Sequence, residues 1–509
     1  MNIKEAKTEV KNALLAYHRK DENGRYQYPL VRQRPLLLIG PPGIGKTAIM
    51  EQIARECGVG LVAYTITHHT RQSAIGLPKI VTRTYEGTDL SVTEYTLSEI
   101  IASVYDCMEK TGKKEGILFI DEINCVSETL APTMLQFLQN KTFGSHKVPK
   151  GWMIVAAGNP PEYNKSVREF DIVTLDRVRK IEITADLSVW MEYAWSHDIH
   201  GAILSYLNIR QEHFYVIEQK ADEVSFVTAR GWEDLSEILK SYEALEIQPT
   251  ENLIVQYLQK EEIAGDFAVY YQLYRKYGTD YGIAQLLNGT LSEDVYPDKV
   301  SMAKNGSFEE KFTVAGLLLD ALNSSVTAFE EEESRITLLH QSLQHYKKYL
   351  ESQTDMQSLR TYMEDCKKRL KVKQDMELCT QKELDNEAHV IRQLEQYDLT
   401  LRREHILDKT DGFERIKSLF QERLQQRKNG ITKVRSQLER AFSFVLDCFG
   451  EEQEMILFVS GLTRNQKMTG FIGAHGCDSY FLYSQKLLHL TPEEELKDAC
   501  KTLLSASEI

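Results

Sequence analysis

The stretch Gly40-Pro41-Pro42-Gly43-Ile44-Gly45-Lys46-Thr47-Ala48 carries the residue types that grip polyphosphate. Its spacing is G-x-x-x-x-G-K-[ST]. In that pattern glycines let backbone N–H groups turn inward around phosphate oxygens, the lysine reaches the β and γ phosphates, and the hydroxyl beside it binds magnesium. Lys46 takes the lysine role and Thr47 the hydroxyl role. The pattern carries weight only between a strand and a helix. Here Arg34-Pro35 leads into the apolar run Leu36-Leu37-Leu38-Ile39, and Ile49, Met50 and Ile53 follow at helical spacing, so the context is met. The start of that helix adds positive potential at the phosphates. ATP and Mg2+ are the ligands this chemistry implies.

A second constellation lies downstream, in Ile117-Leu118-Phe119-Ile120-Asp121-Glu122. An acid at the tip of a buried strand helps hold the magnesium, which assigns Asp121 to the metal together with Thr47. Glu122, one residue on, is placed to accept a proton from an attacking water as a general base. His68-His69 read as loop polarity, because zinc needs three or four ligands and no third lies nearby in sequence. The eight cysteines are scattered, with no C-x-x-C pair, and indicate neither a zinc site nor a disulfide framework.

Four short apolar runs position these groups: the one before the glycine loop, Gly60 to Ile66, Gly116 to Ile120, and Trp152 to Ala157, which ends at Gly158-Asn159. Helical stretches separate them, and that alternation predicts a parallel sheet covered by helices, with ligands gathered at the carboxyl ends of the strands. Pro78 to Tyr85 and Leu90 to Tyr95 alternate around Glu86-Gly87-Thr88-Asp89 and predict a β-hairpin. A second hairpin is expected from Lys141 to Gly151.

From about Asp186 the pattern becomes helical, with Trp190 to Tyr206 and Ala229 to Tyr242 the clearest segments, and an all-helical lid is expected. Apolar residues at 336, 339, 343, 346 and 350, and again at Ile431, Val434, Leu438, Ala441 and Val445, alternate by three and four as in a coiled coil. The turn signal Asp408 to Gly412 between them predicts an antiparallel helical hairpin, with a weaker interruption near Ser352 to Asp355 and a compact helical bundle as the alternative. The expected domains are 1–185 for the nucleotide core, 186–300 for the lid, 301–449 for the coiled-coil hairpin and 450–509 for a small closing domain.

Composition limits the function classes. The chain has 509 residues, 42% of them hydrophobic, and is long enough for several cores. No uninterrupted apolar run reaches the ~18 residues of a membrane span. The opening helix mixes charged and apolar residues, unlike a secretory leader, so a cytoplasmic location is expected and no membrane partner. The net charge of −14 weighs against broad nucleic-acid binding, which depends on Lys and Arg.

Taken together, residues 30 to 240 resemble the AAA+ superfamily and are most similar to its MoxR branch. The resemblance implies further roles. Asn159, in Ala156-Ala157-Gly158-Asn159-Pro160-Pro161-Glu162, matches sensor 1, which orients the attacking water. Arg177, in Leu175-Asp176-Arg177-Val178, matches the arginine finger that a neighbouring subunit inserts. The family continues that motif with phenylalanine where this chain has Val178, so Arg179 and Arg168 stay open as rivals. Arg230, in Thr228-Ala229-Arg230-Gly231-Trp232, matches the sensor 2 arginine of the lid. The hairpin at 78–95 resembles the one that MoxR proteins turn toward the ring pore. The resemblance implies a homo-oligomeric ring, a hexamer, that hydrolyses ATP to remodel a protein bearing a von Willebrand factor A domain. A nucleic-acid-directed motor and a nucleotide-dependent coiled-coil scaffold are the alternatives.

Overall fold

The computed structural model describes residues 1–67, 76–143, 146–163, 167, 170–220, 223–352, 358–375, 381–406 and 408–489. They divide into two compact units, Met1–Tyr193 with Arg210–Ala268, and Ala194–Ile209 with Val269–Ile509.

The strands of the first unit follow the chain as β1 (Leu36–Ile39), β2 (Gly60–Thr65), β3 (Pro78–Tyr85), β4 (Thr88–Tyr95), β5 (Gly116–Asp121), β6 (Thr142–Phe143), β7 (His146–Lys147), β8 (Trp152–Gly158), β9 (Arg179–Glu182), β10 (Val216–Lys220) and β11 (Glu223–Val227). Five of them form one parallel sheet in the order β2-β5-β8-β1-β9. Side chains alternate across a strand, and this alternation builds both layers. Leu36, Leu38, Ile117, Phe119, Met153 and Val155 share a core with α1 (Ile3–His18) and α2 (Lys46–Cys57). Leu37, Leu118, Ile120, Ile154 and Ala156 share another with the helices Glu99–Thr111 and Ala131–Asn140. The α/β architecture read from the sequence is thus present, a parallel sheet covered by helices on both faces.

The sheet has one strand more than the four apolar runs. Arg179-Lys180-Ile181-Glu182 pairs in parallel with β1 as an edge strand, and only Ile181 of the four is buried. The β3–β4 hairpin forms as expected, in full register from Pro78↔Tyr95 to Tyr85↔Thr88. Glu86 and Gly87 make its two-residue turn with φ of 48° and 82°, the left-handed pair that hairpin turns favour. The second expected hairpin is reduced to the two-residue strands β6 and β7.

The lid expectation needs two corrections. Trp190 to Tyr206 is not one helix: Leu187–Ser196 and Gly201–Ile209 are separate, and Asp198 in the break has φ 56°. The lid is also not all helical. β10 and β11 pair antiparallel from Val216↔Val227 to Lys220↔Glu223, ahead of the helix Ala229–Ala244. That helix starts at Thr228, whose side chain accepts from the Gly231 N–H.

The second unit is helical. Its longest helices, Phe308–Ser352 and Lys409–Phe449, are the two limbs of the expected hairpin, and Asp408 caps the second by accepting from the N–H groups of Thr410 and Asp411. Two more helices, Ser358–Asp375 and Gln381–Arg403, fold onto these limbs. Ile336, Leu339, Leu343 and Tyr346 therefore pack with Leu359, Tyr362, Val390, Leu394, Ile416 and Phe420 in one core. The three-four spacing at 336–346 thus marks one side of a core shared by four helices, the bundle alternative, and not a two-helix seam. Part of the interruption expected at 352–355 lies outside the described residues. Helices Gln453–Arg464, Gln466–His475 and Asp478–His489 close the described chain. The helix beginning at Phe308 is long and apolar enough to cross a membrane by composition, but more than half of its apolar window is buried within the protein.

Candidate nucleotide site

The carboxyl ends of β1, β5 and β8 lie together because the strands run parallel, and each delivers one part of the site. After β1 the chain turns through Gly43 and Gly45, with φ of 73° and 88°, a conformation that costs other residues ~1–2 kcal/mol. Gly45 then opens α2, so Lys46 and Thr47 stand in its first turn. Lys46 is only 8% exposed. Its ammonium donates to the carbonyls of Gly40 and Pro41, both at 2.8 Å, and to Oδ1 of Asn159 at 2.9 Å. Burial pushes its pKa down to about 8, against the pull of Asp121, while the charge of Arg230 pushes it further down.

The Thr47 hydroxyl donates to Oδ2 of Asp121 at 3.0 Å. Glu122 takes φ 56°, uncommon for a non-glycine residue, with its N–H donating to Oδ1 of Asp121 at 2.9 Å. The next residue, Ile123, donates its N–H to the Ala157 carbonyl at 2.9 Å, which ties this turn to β8. Such backbone strain persists where the surroundings over-determine it, and it gathers at functional sites. Among the described residues the Glu122 carboxylate has no hydrogen-bond partner, which leaves it free to accept a proton.

Arg230 reaches the same place from the lid. A Cβ at Gly43 would stand 3.3 Å from the Arg230 Cβ. The lid makes two contacts that the sequence did not suggest. The Tyr215 hydroxyl donates to the Pro42 carbonyl at 2.8 Å, and Gln219 donates to the carbonyl of Glu162 at 2.6 Å. No motif marks either residue, because each meets a backbone carbonyl.

The three finger candidates stand apart from this cluster. Arg177 is exposed and its guanidinium donates to the Gln139 side chain. Arg179, in β9, is paired with Glu9 of α1. Arg168, like His68 and His69, lies outside the described residues.

The residues present fit a polyphosphate with magnesium. A buried cation whose described hydrogen-bond partners are three neutral oxygens is one that an anion would claim. A hydroxyl and a carboxylate 3.0 Å apart are the hard oxygen donors that Mg2+ takes, and that ion keeps several of its waters and needs few protein ligands. Among the described residues no group of three His, Cys, Asp or Glu side chains could hold a metal ion.

Residues 36–175 match the family model for the ATPase family associated with various cellular activities (AAA). The matched span holds the glycine loop, Asp121, Glu122 and Asn159, while Arg177, Arg179 and Arg230 lie beyond it. No curated protein matches the chain. An AAA domain implies ATP-dependent activity and nucleotide binding, typically with Mg2+, and such domains commonly form oligomeric rings.

Proposed function

We propose that this protein is an ATP-hydrolysing ring of the MoxR type, a hexamer acting in the cytoplasm, that remodels a protein partner bearing a von Willebrand factor A domain. The observation that carries the hydrolytic reading is the joining of three strand tips by two side-chain contacts, Lys46 with Asn159 and Thr47 with Asp121. A loop that only bound nucleotide would not need a strained acid at Glu122 beside them. In this reading Lys46 grips the β and γ phosphates and Thr47 and Asp121 hold Mg2+, which screens the phosphate charge. Asn159 orients the attacking water, Glu122 takes its proton, and Arg230 brings the lid's charge onto the nucleotide. Arg177 serves the site of the next subunit.

The partner assignment rests on the resemblance and on the β3–β4 hairpin. Ile80, Tyr85, Leu90 and Tyr95 are exposed on it, a surface suited to polypeptide. The nucleic-acid alternative is weaker, because Arg83 on the same hairpin is paired with Glu94. The test of the hydrolytic reading compares two variants. Lys46→Ala should lose nucleotide binding, whereas Glu122→Gln should bind normally and not turn over. A Glu122→Gln protein that hydrolysed ATP at the wild-type rate would remove Glu122 as the base.

A further inference from the structure

The turn after β5 carries a buried amide, Asn124, with no direct part in the proposed hydrolysis. Asn124 is 5% exposed. Its Nδ2 donates to the main-chain carbonyl of Asn159 at 2.7 Å. That contact fixes the orientation of the amide, since only its nitrogen can donate to a carbonyl. The other end, Oδ1, is buried and has no donor among the described residues. The amide also lies against Gly158, where a Cβ would stand 2.4 Å from Oδ1 and 2.7 Å from Cγ. Asn124 therefore touches the backbone of both residues at the tip of β8.

A leucine of similar volume would fill the same space without leaving a buried acceptor unpaired, which costs free energy. The polar side chain must be accounted for by what its nitrogen holds. It holds the backbone of Asn159, whose own side chain reaches Lys46 at 2.9 Å. The turn that supplies the hydrogen bond also presents Asp121 and Glu122. One short segment thus sets the acid, the base and the backbone that aims the third polar group.

We infer that Asn124 is a positioning residue for Asn159: its hydrogen bond fixes the tip of β8 so that the Asn159 side chain can leave Lys46 and meet the bound phosphate and water in one orientation. This rests on the proposed role of Asn159 in hydrolysis. The role predicts dependence between the two residues, because Asn124 can matter only while Asn159 has a side chain to aim.

The test is a double-mutant cycle in the full-length protein, with Asn124→Leu, Asn159→Ala and the double variant. Steady-state hydrolysis gives kcat and KM, and calorimetry gives the ratio of ATP to ADP affinity. Asn124→Leu should lower kcat roughly tenfold, the scale of one neutral hydrogen bond, with KM little changed and thermal stability not reduced. The double variant should be no slower than Asn159→Ala alone, and its affinity ratio no further changed. Gly158→Ala, which displaces the amide without altering it, should reproduce the loss in kcat if Asn124→Leu fails to fold. Additive losses, or wild-type kcat in a folded Asn124→Leu protein, would overturn the inference. A wild-type protein that bound ATP but hydrolysed none would instead sink the hydrolytic reading. In that case the affinity ratio alone decides: non-additivity supports the positioning role and additivity ends it.

Discussion

Lys46 and Asn159, 113 residues apart in the chain, meet in a 2.9 Å hydrogen bond between the ammonium and Oδ1. The contact joins the loop after β1 to the tip of β8. It places the lysine of the glycine loop in direct contact with the asparagine at the strand tip, so in the proposed reading a phosphate that engaged Lys46 would compete with Asn159 for the same protons. Burial of the ammonium lowers its pKa to about 8, and the nearby charge of Arg230 adds to the fall.

That shift sets a pH dependence for binding. An ordinary lysine loses its proton as pH rises through about 10.4. In the free protein Lys46 loses it as pH rises through about 8, and bound phosphates restore it by stabilising the charged form. Nucleotide affinity should therefore be highest below this pH and fall by up to about tenfold per unit above it. Calorimetry in two buffers of different ionisation enthalpy should show negligible proton uptake near about pH 7 and an uptake approaching one proton near about pH 9. Constant affinity without uptake would show that Lys46 stays charged in the free protein.

The placement of the candidate residues was legible in the sequence where it follows local rules. The glycine loop needs only its neighbours to form, and the acids after β5 sit where an apolar run ends. What escaped depends on distant partners. β9 offers a single buried side chain, and it is a strand because β1 pairs with it. Tyr215 and Asn124 act on backbone carbonyls, 173 and 35 residues away, which no spacing can report. In the helical arm, apolar spacing tells which face of a helix is buried and not how many helices bury it, so a four-helix core read as a two-helix seam.

Tyr215 offers a test of the lid. Its hydroxyl joins the lid to the glycine loop through the Pro42 carbonyl, and a neutral hydrogen bond is worth about 0.5–1.5 kcal/mol. Tyr215→Phe should weaken nucleotide binding by about two- to tenfold with little change in thermal stability. Unchanged affinity with reduced stability would assign the contact to the fold alone.

In the helical arm, Leu394 is fully buried at the centre of the four-helix core. Truncating such a side chain costs about 2–5 kcal/mol. Leu394→Ala should sharply reduce hydrogen-exchange protection in residues 336–420, while leaving nucleotide affinity unchanged, because every candidate nucleotide contact precedes residue 235. A parallel loss of ATP binding in a folded variant would show that the arm governs the site.

Arg177 and Arg179 can be separated by mixing subunits. Arg177 is exposed on a side-chain amide, free to reach a neighbour, whereas Arg179 is paired with Glu9 inside its own subunit. A finger in trans contributes about 10³–10⁵ in rate, equivalent to ~4–7 kcal/mol of barrier. It can act only on the next subunit's site. Arg177→Ala and Lys46→Ala should each be inactive alone, the first for lack of a finger and the second for lack of phosphate binding. Where they alternate, a Lys46→Ala subunit still offers its arginine to an intact loop, and mixed assemblies should recover a fraction of the wild-type rate set by how often that order occurs. Activity per subunit should also rise with protein concentration. Undiminished hydrolysis by Arg177→Ala would exclude it as the finger, and the same mixing experiment would then be run on Arg179 and Arg168.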